Sequence, residues 1–436
     1  MTQTFEAACA AFTPRWRAAG EALARLPPKP DRSPAEAEQA ARLLAEARTQ
    51  RESFLAAHAT ALYRALTDDL ARFPRVEQLV YDAAERVPGL VPTRAQVEEE
   101  ARHRQADKDG LEIDQGVLLS HILADPACGR HLCHAMLLPR PESEALLPQL
   151  LRDGAVELPT ASVRRLGNAT LVLTRNLRFL NAEDEATLDD LEIAVDLATL
   201  DPATGAAVLR GDAVAHPRHA GRHVFSAGIN LTHLYHGRIS YLWYLRRDLG
   251  ALHKMFRGLA TPDAPPEEWR GATREKPWIA AVEAFAIGGG CQILLVCDYV
   301  LAARGAYMTL PARKEGIIPG AANLRLPRFT GDRIARQLIA YGRGLNCDSP
   351  EGRLICDEIT DADAMDAALA SVIDNLTNSG AVSQIGNRRA LRVGAEPLDA
   401  FRSYMAVYAR EQAICHFSPQ LIANLERNWQ AQQRRA

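Results

Sequence analysis

Residues 278–303, WIAAVEAFAIGGGCQILLVCDYVLAA, decide the fold class. Trp278 to Phe285 reads as a strand, Cys291 to Val296 as a short buried helix, and Tyr299 to Ala303 as another strand. Between the first two lie Gly288, Gly289 and Gly290. Consecutive glycines destabilise the interior of a helix or strand. Their use here is to let backbone approach a ligand and aim N–H groups at it. A helix N-terminus adds free N–H donors and a partial positive charge. A tight turn with close helix–sheet packing accounts for the same glycines on local sequence alone.

Upstream the alternation continues. Ala169 to Leu173 reads as a strand, and Thr187 to Leu200 as a helix with Leu188, Leu191, Val195 and Ala198 on one face. Ala206 to Leu209 and His223 to Phe225 read as short strands, Tyr241 to Leu259 as a helix, and the chain from Arg333 onward as helical. Strands separated by helical crossovers imply an α/β layer fold with a largely parallel sheet. The first 150 residues read as helical. Ser33-Pro34-Ala35-Glu36 is a capping box with proline at the first helical position. Leu55, Ala59, Leu62 and Leu66 then share one face, and Phe73-Pro74 is expected to end that helix. Another helix runs through Val117, Leu118, Ile122 and Leu123 toward Asp125-Pro126. The expected division is a helical domain over 1–154, an α/β core over 155–345 and a helical region over 346–436. The last helices, near Ala409 to Trp429, are placed to close over a site in the same or a neighbouring subunit.

Composition narrows the function. The 436 residues are 47% apolar and 24% charged, which excludes wholesale disorder. With 54 acidic residues against 51 Lys plus Arg, the net charge of −3 argues against nucleic acid as a partner. No apolar run is long enough to span a bilayer, and Met1 to Arg15 lacks the features of a signal peptide. The eight cysteines form no C-x-x-C pair and read as reduced thiols, so a cytoplasmic protein without membrane partners is expected.

A second loop, Phe225-Ser-Ala-Gly-Ile-Asn-Leu231, repeats the pattern of a strand end running into glycine. Two N–H donors from two such loops can hold an oxygen that gains negative charge. Five blocks taken together resemble the crotonase (enoyl-CoA hydratase/isomerase) superfamily over about residues 155–370. They are Arg178-Phe-Leu-Asn-Ala182, Phe225-Ser-Ala-Gly-Ile229, Gly288-Gly-Gly-Cys-Gln292 with Cys297-Asp298 behind it, Gly316-Ile-Ile-Pro-Gly320 and Arg325-Leu-Pro-Arg328. The resemblance implies a ββα spiral core flanked by the helical segments. It implies that the backbone N–H groups of Ile229 and Gly289 hold the thioester oxygen of an acyl-coenzyme A. It also implies a homotrimer or a dimer of trimers.

The sequence departs from the family where hydratases carry two catalytic glutamates, at Gln292 and Ala312. Neither side chain can take up a proton as a base near neutral pH. One branch of the superfamily fits this departure and has a long helical front half: cofactor-independent dioxygenases of arylacetyl-CoA thioesters. That resemblance implies an acyl-CoA substrate and O₂, with no metal, haem or flavin. An apolar oxygen pocket would be lined by Leu231, Ala312, Ile317 and Ile318. Glu183, Arg247, Gln292, Gly290 and Ala227 are the substrate-binding candidates, with Arg246 as the competitor of Arg247. The plain reading of Glu183 is a carboxylate at a helix start. A thioesterase or isomerase using Glu183 or Glu315, and a non-catalytic acyl-CoA-binding protein, remain alternatives. His131-x-x-His134 and His233-x-x-His236 lack the carboxylate of a recognisable metal set.

Overall fold

The computed structural model describes residues 4–434 except 267, 271 and 379. The chain forms two compact units. One takes the chain up to Met136, Thr232–Leu245 and the chain from Arg402 on; the other takes Leu137–Leu231 and Arg246–Phe401.

The first unit is helical. Ser33 caps the helix Pro34–Leu66, and in return its N–H donates to the Glu36 carboxylate at 2.8 Å. Leu55, Ala59, Leu62 and Leu66 are all buried along it. The helix stops before the expected Phe73-Pro74. Thr67 Oγ1 turns back to donate to the Tyr63 carbonyl, and Asp68, Asp69 and Leu70 take positive φ. Phe73 instead stacks on His131, with ring centroids 4.7 Å apart. Tyr241 donates to the Ala409 carbonyl at 2.7 Å and Tyr235 to Glu426 at 2.8 Å, which ties the last helices into this unit.

The second unit is built on a seven-stranded sheet. Its strands are β1 (Ala155–Glu157), β2 (Ala161–Leu166), β3 (Ala169–Thr174), β4 (Ala206–Gly211), β5 (Trp278–Val282), β7 (Tyr299–Ala303) and β10 (Glu358–Thr360). They lie in the order β1-β2-β3-β4-β5-β7-β10. The first three pair antiparallel and the rest parallel. Residues alternate between two apolar cores. Val172, Leu209, Ala280 and Val300 pack with the helix Glu185–Leu200 on one face. Leu171, Val208, Ile279 and Leu301 pack with the helix Met365–Thr377 on the other. Burial on both faces explains why these strands read as continuous apolar runs. A smaller sheet holds β6 (Phe285–Ile287), β8 (Tyr307–Thr309) and β9 (Gly344–Asn346).

Several expectations are corrected. Trp278 to Phe285 is two strands in different sheets; Glu283, between them, pairs with Arg210. His223 to Phe225 is no strand, and His223 makes only a single bridge with Ala213. The helix over 241–259 breaks at Gly250, where a Cβ would lie 2.4 Å from the Arg246 carbonyl oxygen. The stretch after 345 is not all helix: β10 completes the large sheet, and Cys347, Ile355 and Cys356 enter its core. At the front, the helix Pro141–Asp153 falls with the sheet unit. Ser143 Oγ and the Arg140 N–H both donate to buried Asp196 at 2.8 Å, and Leu150 joins the core.

Candidate functional site

The two glycine-bearing loops are brought together by backbone. The Glu183 N–H donates to the Gly228 carbonyl and the Asn230 N–H to the Glu183 carbonyl, both at 2.8 Å, so residues 228–230 run parallel to 183. Asn230 Nδ2 donates to Asp184 Oδ2 at 2.9 Å and fixes the same register. In this pattern the Ile229 N–H faces away from Glu183. Gly228 has φ +79°, and a Cβ there would sit 2.7 Å from the Ile287 carbonyl oxygen and 3.2 Å from the Gly289 nitrogen. Only glycine lets the loops approach this closely. The Gly288 N–H is used by the Thr309 carbonyl at 2.8 Å, and the Gln292 N–H closes the first helical turn on the Gly288 carbonyl. The N–H groups of Ile229 and Gly289 make no hydrogen bond among the described residues.

Behind Gly289 lies a buried polar network centred on Arg247, which is 3% exposed. Its Nε and Nη2 grip Glu183 at 2.5 and 3.0 Å. Nη2 also reaches the Gly289 carbonyl at 2.9 Å, and Nη1 reaches Gln292 Oε1 at 2.8 Å and Asp248 at 3.2 Å. All five guanidinium N–H groups are thereby engaged. Gly289 must be glycine for this, since a Cβ would sit 2.2 Å from Glu183 Oε1. Gly320 closes the far side, where a Cβ would be 2.4 Å from Gln292 Oε1 and 2.6 Å from Asp248.

The structure thus joins Glu183, Arg247 and Gln292 and separates Arg247 from Arg246, which pairs with Asp189 at 2.6 Å. Glu183 is not the helix cap. Asp184 is, with Thr187 Oγ1 accepting its N–H at 2.9 Å. Gly290 packs on Ser226, and the Ala227 N–H donates to the Leu180 carbonyl. Asp248 and Ser226, whose Oγ accepts the Gly228 N–H at 3.0 Å, are additions to the sequence reading. Asp248 carried a signal: it ends the charged run Arg246-Arg247-Asp248 in an otherwise apolar helix. Ser226 carried none beyond its place before Gly228.

Of the apolar candidates, Ala312 is buried, whereas Leu231, Ile317 and Ile318 are half-buried. Ala312 opens the short helix Ala312–Glu315, and its carbonyl accepts the Gly316 and Ile317 N–H groups. Leu231 begins the helix Leu231–Tyr235, two residues past Ile229. Burial pushes the Glu315 carboxyl up to about 7. A cavity of about 20 Å³ sits beside Glu183, Phe225, Ser226 and Ile293. Among the described residues, no three His, Cys, Asp or Glu side chains are grouped to hold a metal. His131 is committed to Tyr63 at 2.8 Å and the Leu70 carbonyl at 3.0 Å. No helix of the described residues is long and apolar enough to cross a membrane.

Comparison with known proteins places the chain among acyl-CoA enzymes of one family. The enoyl-CoA hydratase/isomerase family matches residues 266–391. A (3,5-dihydroxyphenyl)acetyl-CoA 1,2-dioxygenase of Amycolatopsis orientalis is 47% identical over 407 residues, 93% of this chain and 92% of that protein. A crotonyl-CoA hydratase of Syntrophomonas wolfei is 32% identical over 39% of this chain and 57% of its own length. Among solved structures, an enoyl-CoA hydratase/isomerase from Pseudoalteromonas atlantica superposes with a TM-score of 0.50 at 19% identity, over 62% of this chain and 97% of that one. This last likeness is one of fold.

Proposed function

The chain belongs to the enoyl-CoA hydratase/isomerase (crotonase) family, and from that premise we infer that it is a dioxygenase of (3,5-dihydroxyphenyl)acetyl-CoA. The observation that carries the reading is the near full-length likeness to the Amycolatopsis orientalis dioxygenase, helical front half included. The reaction joins the thioester and O₂ to give 3,5-dihydroxyphenylglyoxylate and free coenzyme A. Metal, haem and flavin are not required, because the substrate supplies its own electron-rich intermediate.

The methylene between an aryl group and a thioester is acidic, and its deprotonation gives an enolate. The N–H groups of Ile229 and Gly289 hold the oxygen on which that charge develops, where preorganised donors act most strongly. The ring hydroxyls are received by the polar network. Arg247 has spent its donors, so its part is to hold Glu183 and Gln292 in place. Glu183 accepts two N–H bonds from Arg247 and retains lone pairs for a phenol O–H. Gln292 turns Oε1 to Arg247, which leaves its Nε2 to donate to a phenol oxygen. Gly290 and Ala227 flank the acyl group with backbone. Leu231, Ala312, Ile317 and Ile318 give O₂ an apolar approach and exclude water from the enolate.

The reading extends to a cytoplasmic homotrimer or dimer of trimers in glycopeptide-antibiotic biosynthesis, its product leading to dihydroxyphenylglycine. The test is an oxygen electrode with metal-stripped protein and the dihydroxyphenylacetyl thioester. One O₂ consumed per coenzyme A released is expected. Coenzyme A release under nitrogen points instead to a thioesterase, and tight binding without turnover to a non-catalytic acyl-CoA-binding protein.

A further inference from the structure

The reaction needs a base for the methylene proton, and both positions that carry glutamate in hydratases lack it. The segment 309–320 offers another carboxylate. Its start is pinned to the Gly288–Gln292 turn by the Gly288 N–H on the Thr309 carbonyl at 2.8 Å. Its end is pinned to the same turn by Gly320, packed against Gln292 and Asp248. The helix Ala312–Glu315 lies between these two points. Residues three apart on a helix share a face. The burial follows that spacing: Ala312 and Glu315 are buried, while Arg313 and Lys314 are exposed. Glu315 is only 9% exposed, yet among the described residues its carboxylate has no hydrogen bond or ion pair.

Resting on the dioxygenase reading, we propose that Glu315 is the general base that takes the substrate's methylene proton. It acts from the same inward face as Ala312. The Glu315 carboxylate accepts the proton, the C–H electron pair becomes the enolate double bond, and the carbonyl pair moves to the oxygen held by Ile229 and Gly289. The enolate carbon is oxidised by O₂ and bonds to it. The resulting peroxide attacks the thioester carbonyl, the C–S bond breaks, and the coenzyme A thiolate takes the proton back from Glu315. The second methylene proton is released as the O–O bond breaks to give the 2-oxo carboxylate. A base works best with a pKa near the working pH, and burial places Glu315 at about 7. Burial is the sole cause of that shift. Arg313 and Lys314 on its own helix face outward, and the Glu183–Arg247–Asp248 charges behind the turn are satisfied among themselves.

The experiment compares wild type, Glu315→Gln and Glu315→Asp with (3,5-dihydroxyphenyl)acetyl-CoA. It reads methylene exchange with D₂O under nitrogen, oxygen uptake in air, and thioester affinity. Glu315→Gln should lose exchange and uptake together by about 100-fold or more, with affinity kept within a few fold. Glu315→Asp should restore part of both. Wild-type kcat should rise along a limb near pH 7 that Glu315→Gln lacks. Exchange at the wild-type rate in folded Glu315→Gln overturns the assignment. Wild type that exchanges but takes up no oxygen overturns the dioxygenase reading alone, and exchange still judges Glu315. Wild type that does neither overturns both.

Discussion

At the scale of single residues, the proposed site would use backbone at Ile229 and Gly289 and small volume at Ala312. Ile229→Val leaves the N–H in place and should be mild. Ile229→Pro removes the N–H and fixes φ; losing one oxyanion donor should cost about 100–1,000-fold in kcat. Equal turnover by the two folded variants would contradict the oxyanion role. Ala312→Glu sets a second carboxylate one helical turn from Glu315 on the buried face. Burying it costs several kcal/mol unless it is protonated or paired. Oxygen uptake should fall by most of its value while thioester binding persists, because the oxyanion N–H groups are untouched. Uptake near wild type, measured beside affinity, would remove Ala312 from the oxygen path. Gly289 and Arg247 could be singled out from sequence because glycine runs and charges within apolar stretches are local signals, whereas Gln292 was marked only by the family resemblance, at a position where hydratases carry glutamate. That Arg247 spends every donor within the protein could not, since its partners lie 42 to 64 positions away or next to it.

At the scale of elements, the helix Ala381–Ala395 is held by Glu275, which three of its arginines share, and by Asp298, which accepts from Arg388 at 2.8 Å. Glu275 receives Arg388 at 2.5 Å, Arg392 at 2.7 Å and Arg389 at 2.8 Å. Burial alone would raise its pKa. The hydrogen bond from Arg392 and the charges of Arg392 and Arg388 outweigh burial and hold it at about 2, against an ordinary 4.5. A depressed carboxyl contributes stability above its unfolded pKa and loses it as the pH falls through the folded value. The contribution, about 3 kcal/mol, should therefore be complete at pH 6 and largely gone by pH 2. Urea unfolding of wild type and Glu275→Gln should show a stability gap that narrows by that amount over this range. A constant gap would mean that Glu275 is not the group titrating. Besides the helix that breaks at Gly250, the elements misjudged from sequence are short strands. β6, β8, β9 and β10 have three residues each, too few for a period of two to declare itself.

At the scale of the whole molecule, the proposed chemistry requires the purified protein to be active without a bound cofactor. Elemental analysis and an absorption spectrum should find no stoichiometric metal, haem or flavin in protein that consumes oxygen. Iron or copper near one per chain that tracks with activity would refute this. The motivation is chemical: an arylacetyl-CoA enolate is itself a reductant for O₂, and the buried histidine His131 is already bonded to Tyr63 and Leu70.

The sequence by itself determined the α/β class, the helical front half, the long-helix cap at Ser33 and the two loops that meet at Gly228 and Gly289. Each rests on a local cue: periodicity, a capping box, a glycine that only a tight approach requires. Tertiary structure alone decided the rest. It split Trp278 to Phe285 between two sheets, drew the helix Pro141–Asp153 into the sheet unit through Asp196, and added β10 to the sheet edge. It also left the Glu315 carboxylate buried without a hydrogen bond or ion pair among the described residues, while Glu183, its equal in the sequence reading, was bound to Arg247. The physical reason is one of range. Propensity and pattern act over a turn or a strand, whereas burial and ion pairing depend on which distant segments fold against a residue.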